Sequence, residues 1–222
     1  LSITAGDMTV NGTLNSGSEG TTILNSRATN TIGLGTTGNL ALSDTELTNI
    51  TAGSLTIGDG NNGDITVDGL SSANFGELTL NATASGSSVT FGNSDSTFSR
   101  GLTVNAENGI SLTSSLVTNG PTSFHADSDK DGAGNFSLAT SETLSAGNNS
   151  LSINSNELTL DGTSISSGTA STTLQTPLAG TTIGLGSSSC GGTCGFSLVS
   201  TALGKFTAGS LIIGDDTNGS IS

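Results

Sequence analysis

Residues 76–104 read GELTLNATASGSSVTFGNSDSTFSRGLTV, and three short motifs within this stretch determine the fold. Residues 78–80, 89–91 and 102–104 each consist of an apolar residue, a threonine and a second apolar residue. This alternation places the two apolar side chains on one face of a β-strand and the hydroxyl on the other. Glycine, asparagine, aspartate and serine, which favour turns, flank the motifs. The stretch therefore predicts short strands that each bury one face.

The same motif, with serine or threonine at its centre, recurs along the chain at regular intervals. Central residues 56, 79 and 103 are 23 and 24 positions apart, and central residues 66, 90, 111, 137 and 159 are 24, 21, 26 and 22 apart. Two interleaved tracks of this period are typical of a solenoid, and the apolar stripes of a helical repeat are absent. The sequence predicts an all-β, right-handed parallel β-helix of about ten coils, each of roughly 20–26 residues. An antiparallel β-sandwich is the alternative, but it does not explain the period.

The motifs also predict which side chains point inward and which point outward. The predicted inward residues are Leu55, Ile57, Leu78, Leu80, Leu102, Val104, Leu158 and Leu160. Outward Thr56, Thr79 and Thr103 would form a ladder of hydroxyl groups with a rise of about 4.8 Å per coil. Ice-binding solenoids use such a ladder, so an ice-binding module is one hypothesis, which thermal hysteresis would test.

A longer repeat lies above the coils. Residues 51–66, TAGSLTIGDGNNGDIT, return as residues 207–222, TAGSLIIGDDTNGSIS, with 11 of 16 positions identical. Residues 1–13 likewise match residues 151–163, so that 1–66 corresponds to 151–222. The chain therefore reads as a single continuous solenoid segment with about one and a half copies of a unit of about 150 residues. We expect it to be a slice of a longer array, because neither end has the sequence of a polar cap.

The composition limits the partners that the surface can bind. The chain has 4 basic and 18 acidic residues, for a net charge of −14. Such a surface does not neutralise phosphates, so neither nucleic acid nor an anionic membrane surface is an expected partner. Divalent cations remain compatible with this charge. The sequence has no apolar run of transmembrane length, and we expect no membrane insertion.

The stretch from TIGLG at 31–35 through LALSDTELTNITAGSLTIGDGNNGDITVDG at 40–69 resembles repeats of large bacterial exoproteins of the filamentous-haemagglutinin-like type. The second copy and SFHADSDKDGAGNFSL at 123–138 are similar to the same repeats. The resemblance implies a right-handed β-helix that is exported to the bacterial surface or beyond. It also implies a role as the shaft of an adhesin, a surface fibre or a biofilm matrix protein. The implied partners are neighbouring repeats, further copies of the chain, and a host receptor or surface glycan.

One acidic loop has the spacing of a metal site. Asp127, Asp129 and Asp131 alternate before a glycine, as in the first half of a calcium loop, and Asn135 could add a further oxygen ligand. The last position of such a loop should be a bidentate glutamate, and here it is Leu138. The alternatives are a calcium site, as in a calcium-dependent surface-layer repeat, and a solvated acidic turn. Apart from calcium, no cofactor is expected.

The only two cysteines, Cys190 and Cys194, lie in the sequence CGGTC, for which we predict a local disulfide. The only histidine, His125, has no nucleophile motif around it. With four basic residues and no tryptophan or tyrosine, the chain also lacks the groups of a polysaccharide-cleaving site. We therefore predict that the chain is not an enzyme. Ser43 and Glu46 have the spacing of a helix capping box, which is consistent with one helical turn or a plain loop.

Overall fold

Among the described residues, every strand pair in the computed structural model is parallel, and the strands of the longest sheet stack in chain order as the coils of a β-helix. The structure describes residues 1–71, 74–186 and 194–222. The predicted parallel β-helix is confirmed, since parallel pairing between non-consecutive strands excludes the hairpins of an antiparallel sandwich.

The longest sheet, sheet A, contains nine successive strands and so counts nine coils among the described residues, close to the ten that the period predicts. In order these are β1 (Ser2–Ala5), β3 (Gly20–Asn25), β6 (Ile50–Ile57), β8 (Asn74–Ala82), β11 (Leu102–Ala106), β14 (Thr122–His125), β17 (Leu151–Asn154), β20 (Ser171–Gln175) and β24 (Ser210–Ile213). A short strand, β2 (Leu14–Asn15), pairs with the start of β6.

Two further sheets form the other sides of the coil, and a two-stranded sheet lies near the end of the chain. Sheet B is ordered β18 (Leu158–Leu160), β15 (Phe136–Leu138), β12 (Ile110–Leu112), β9 (Val89–Phe91), β7 (Ile65–Val67), β4 (Ile32–Leu34) and β5 (Leu40–Leu42). Sheet C is ordered β10 (Ser96–Phe98), β13 (Leu116–Thr118), β16 (Thr143–Ser145), β19 (Ser164–Ser166) and β23 (Phe206–Thr207). Sheet D pairs β21 (Ile183–Leu185) with β22 (Phe196–Leu198).

Apolar side chains fill the space between the sheets, with the register that the motifs predict. Leu55, Ile57, Leu78, Leu80, Leu102 and Val104 are all fully buried or nearly so. Leu160 is also buried, whereas Leu158 is only partly buried and packs against the edge of the core. The difference has a structural reason, because β18 is the last strand of sheet B, and the strand that lies close to its second edge, β22 of sheet D, does not pair with it.

Close contact between the backbones of neighbouring coils requires glycine at one corner. A Cβ atom on Gly76 would lie 1.9 Å from the carbonyl oxygen of Gly53, and one on Gly53 would lie 2.0 Å from the carbonyl oxygen of Ser18. Real side chains do not tolerate such distances, so these two positions exclude every other residue. The glycines allow coils to stack without a gap at the point where β6 and β8 bend.

Two short helices lie at equivalent corners of the two sequence copies: α1 (Asp44–Thr48) and α2 (Ser200–Leu203). The first has a complete capping box, in which the amide of Glu46 donates to Ser43 Oγ at 3.2 Å and the amide of Ser43 donates to Glu46 Oε2 at 2.9 Å. The bond from the Ser43 amide, together with a second one from the Ser43 hydroxyl, holds the pKa of Glu46 below its ordinary value. Of the two sequence alternatives, the helical turn is therefore present. Neither helix, nor any other in the described part of the chain, has the length and apolar character needed to cross a membrane.

We expect Leu80→Asp to lower the free energy of unfolding by about 3–5 kcal/mol, because it places an unpaired carboxylate among fully buried side chains. Urea denaturation monitored by circular dichroism measures the change. The matched control is Thr79→Asp, which places the same carboxylate on the outer face and should cost at most about 1 kcal/mol. Equal losses in the two variants would contradict the observed register.

Candidate functional site

The outer face of sheet A carries a continuous row of hydroxyl groups, here called the hydroxyl column. Thr56 pairs with Thr79 and Thr79 with Thr103, so the three predicted ladder residues lie on consecutive strands. The same register extends the row in both directions. The hydroxyl column consists of Ser2, Thr22, Thr56, Thr79, Thr103, Ser123, Ser152 and Thr173. At β24 the position is taken by Ile212, which ends the row.

A second row, here called the amide column, lies two residues further along the same strands. It consists of Asn81, Asn105, His125, Asn154 and Gln175. The amide of Asn105 donates to Asn81 Oδ1 at 2.8 Å, whereas Asn154 Oδ1 is buried without a hydrogen-bond partner. The hydroxyl ladder is thus one row wide on this side, and ice binding remains a hypothesis that thermal hysteresis would test. The two columns therefore form a mixed polar surface, and the carboxylate of Glu77 lies beside the hydroxyl column, where it accepts a hydrogen bond of 3.0 Å from the hydroxyl of Thr103.

A groove of about 220 Å³ lies over the amide column. Its walls are the amide column, the loop after β14 and the turn after β20, with these lining residues: Asn81, Thr83, Asn105, His125, Asp127, Ser128, Lys130, Asn154 and Pro177. The groove offers amide, hydroxyl and imidazole groups that can donate or accept hydrogen bonds. It is the part of the outer face where polar groups converge most closely with the acidic loop.

The acidic loop brings together a different set of carboxylates from the one that the sequence predicts. Ligand oxygens of Glu107, Asp129 and Asp131 all lie within 4.8 Å of one another. Glu107 belongs to the preceding coil and is held by the amide of Gly86, which donates to its Oε2 at 2.7 Å. Three carboxylates at this separation repel one another unless a cation or a proton is shared between them.

Asp127, the first residue of the predicted calcium loop, has a structural role within it. Its side chain is only 3% exposed, and its two oxygens accept hydrogen bonds from the amides of Asp131 and Gly132, at 3.1 and 3.0 Å. Burial raises the pKa of Asp127, and the neighbouring Asp129 raises it further. The two backbone bonds hold the loop in a shape that points Asp129 and Asp131 outward.

Asn135, the fourth predicted ligand, lies on the other side of the loop. Its side-chain oxygen accepts a hydrogen bond of 3.4 Å from Asn156 on the next coil. The structure thus brings Asp129 and Asp131 together with Glu107, a residue that the local motif does not contain. The sequence could have indicated Glu107 only through the coil period, because residues about 20–26 positions apart in the sequence lie on top of one another in successive coils.

His125 contacts a serine of its own strand, with Ser123 Oγ 2.9 Å from His125 Nε2. Burial lowers the pKa of His125. A serine nucleophile would also need a carboxylate to orient the imidazole. Asp127, the nearest carboxylate along the chain, uses both oxygens to bind its own loop. The pair therefore has the geometry of a polar contact within the amide column and does not support hydrolysis.

The predicted disulfide joins Cys194 to a residue outside the described part of the chain, Cys190. Cys194 itself is described, and it is not a free thiol. The pairing with Cys190 remains a prediction.

No protein-family model, curated protein or solved structure matches this chain. The resemblance to haemagglutinin-like repeats therefore rests on the quoted sequence motifs alone.

We expect Asp127 to make stability depend on pH. Because its pKa is raised, the folded protein binds this proton more tightly than the unfolded chain, and the resulting stabilisation is lost as the pH rises through the folded pKa. As the pH rises from about 4, the ordinary pKa of an aspartate, the free energy of unfolding should therefore fall more steeply in the wild type than in Asp127→Asn. Urea denaturation at several pH values measures both slopes. Asp161→Asn, which removes an exposed carboxylate, is the control, and parallel curves for wild type and Asp127→Asn would contradict the assignment.

Proposed function

We propose that this chain is a structural shaft segment of an extracellular bacterial adhesin, surface fibre or biofilm matrix protein, which continues or self-associates end to end. The observation that supports the proposal is the in-register stack of parallel strands over nine coils of sheet A. A stack of this kind extends along one axis and is stiff in that direction, because each coil contacts only its two neighbours. The resemblance to filamentous-haemagglutinin-like repeats agrees with this role.

The surface composition also suits an extracellular shaft. Only four basic side chains, Arg27, Arg100, Lys130 and Lys205, offer cleavage sites to trypsin-like proteases. The outer face of sheet A carries hydroxyl and amide groups together with the carboxylate of Glu77, and such groups remain hydrated without binding polyanions. A host receptor or surface glycan is the proposed external partner, and the groove over the amide column is one described place with suitable hydrogen-bonding groups.

We expect the isolated chain to associate end to end in solution, because no described strand pairs with the second edge of β1 or of β24. Light scattering should show a molar mass that rises with concentration. A version with a polar cap fused to each end should remain monomeric and serves as the control. A clean monomer of the uncapped chain at tens of micromolar would contradict end-to-end association.

A second candidate function, supported by the cluster of Glu107, Asp129 and Asp131, is calcium binding by the loop after β14. Three carboxylates supply the hard oxygen ligands that calcium prefers, and the cation would relieve their mutual repulsion. Bound calcium would fix the loop relative to the preceding coil, since Glu107 lies on that coil and the two aspartates on the next. Such a site would stiffen the shaft in a calcium-rich exterior.

Isothermal titration with calcium should give a dissociation constant of about 0.1–1 mM, as in extracellular calcium modules. Replacing both aspartates, Asp129→Asn with Asp131→Asn, should abolish the binding heat because two of three charged ligands are lost. Asp161→Asn, an exposed carboxylate outside the cluster, should bind as the wild type does. Unchanged binding by the double variant, or no saturable heat in the wild type, would exclude the site.

A further inference from the structure

The groove over the amide column is bordered by polar side chains that have no hydrogen-bond partner inside the protein. Among the described residues, no group forms a hydrogen bond with the side chains of Thr83, Ser128 or Lys130, which all line the groove. Asn154, which lines it as well, has a buried Oδ1 without a partner. Polar groups that are buried or half-buried in folded proteins are normally paired, so this set requires partners from outside the chain.

Other turns of the coil pair their polar side chains with the neighbouring coil. The carboxylate of Asp64 accepts hydrogen bonds of 2.8 and 3.0 Å from the amide and the hydroxyl of Ser88. The carboxylate of Asp68 accepts one of 3.0 Å from the amide of Ser94. The fold therefore satisfies polar side chains of its turns internally elsewhere, and the groove is a place where it does not.

The amide column is interrupted at the floor of the groove. The amide of Asn105 donates to Asn81 Oδ1, but the next residue of the row is His125, whose Nε2 lies 2.9 Å from Ser123 Oγ. Asn154 follows His125 in the row, and no hydrogen bond fixes its side-chain amide. Because the last side-chain torsion of asparagine is broad, this amide can rotate and offer its oxygen or its nitrogen to a molecule in the groove.

The size of the groove and the groups around it limit the class of ligand. Its volume of about 220 Å³ is below the roughly 300–1,000 Å³ of pockets that hold drug-sized ligands, so it fits one small unit. Amide, hydroxyl and imidazole groups around such a space suit a ligand with several hydroxyl groups. The ring of Pro177 adds an apolar surface to the wall.

The electrostatic surroundings disfavour an anionic ligand. Asp129 and Asp131 belong to the loop that forms one wall, whereas Lys130 is the one cation among the lining residues. Burial lowers the pKa of His125, which favours its neutral form. A negatively charged ligand would therefore meet net repulsion in the groove.

We propose that this groove binds one uncharged sugar unit of a glycan. The side-chain amides of Asn105 and Asn154 and the hydroxyl of Ser128 are its hydrogen-bonding partners. The proposal rests on the proposed shaft function, whose external partner it narrows to an uncharged sugar at a stated place on the coil.

NMR titration of the ¹⁵N-labelled chain with methyl β-galactoside, methyl β-glucoside and N-acetylglucosamine tests the proposal. We expect at least one of these sugars to shift the side-chain amide signals of Asn105 and Asn154 saturably, with a dissociation constant in the millimolar range. Glucuronic acid should bind more weakly by about tenfold because of the neighbouring carboxylates. Three outcomes would overturn the proposal: no saturable shift with any of the three sugars, equal shifts with glycerol, or tighter binding of glucuronic acid.

Substitutions locate the binding in the groove. Asn154→Leu removes the amide, and the fold accepts leucine in this row because Leu24 lies two residues after Thr22 of the hydroxyl column. The affinity should fall by about tenfold, since the ligand loses a hydrogen bond. Ser152→Ala, on the same strand but in the hydroxyl column, is the matched control and should bind as the wild type does.

Ser128→Ala, on the loop, is a second variant that decides the matter if Asn154→Leu does not fold, and it should also weaken binding. Unchanged affinity in the folded groove variants would overturn the assignment. Sugar binding by the capped chain would support the groove even if the uncapped chain does not associate. Association without sugar binding would overturn the groove and leave the shaft function standing, so the two proposals fail separately.

Discussion

The backbone hydrogen-bond ladder between successive coils is the constraint on which the rest of the structure depends. A parallel strand satisfies its amide and carbonyl groups only through the strands above and below it. Residue 79 must then lie between residues 56 and 103, and every apolar or hydroxyl position repeats coil after coil. A slip of one residue would move leucines to the outer face and threonines into the core. The strand register therefore determines both which side chains fill the core and which form the outer columns.

The turns are free of this constraint, and they are where the coils differ. The offset between the two sequence copies grows from 150 at residue 151 to 156 at residue 207, partly through SSSCGGTCG at 187–195. Strand pairing on both sides of this insertion nevertheless keeps its register, since Ile183 still lies opposite Ile221 as Ile32 lies opposite Ile65. Turns can therefore carry additional functional groups, such as the carboxylates of the acidic loop after β14, without disturbing the strand pairing between coils.

The sequence predicted the strands well because their pattern is repeated and each coil obeys the same rule. The hydroxyl ladder was expected over Thr56, Thr79 and Thr103, and it runs further because serine conserves the hydroxyl group at two later coils. The acidic cluster was harder to predict. A local calcium motif contains no residue from another coil, so it could not indicate Glu107, and it gave no sign that Asp127 turns inward to bind the amides of its own loop. Contacts between turns depend on backbone conformations, such as the positive φ of Lys130, that the strand period does not determine.

The distribution of apolar and charged surface indicates the direction in which such a chain associates. The exposed large apolar side chains among the described residues are Leu1, Val199, Leu211, Ile212 and Ile221, which all lie in the first coil or the last ones. The sides of the coil carry neutral polar columns and acidic turns, and the net charge of −14 makes parallel chains repel one another laterally. Hydrophobic burial therefore favours contacts along the axis, while electrostatic repulsion opposes contacts between the sides. Both effects agree with the proposed shaft function, which requires association along the axis and not bundling.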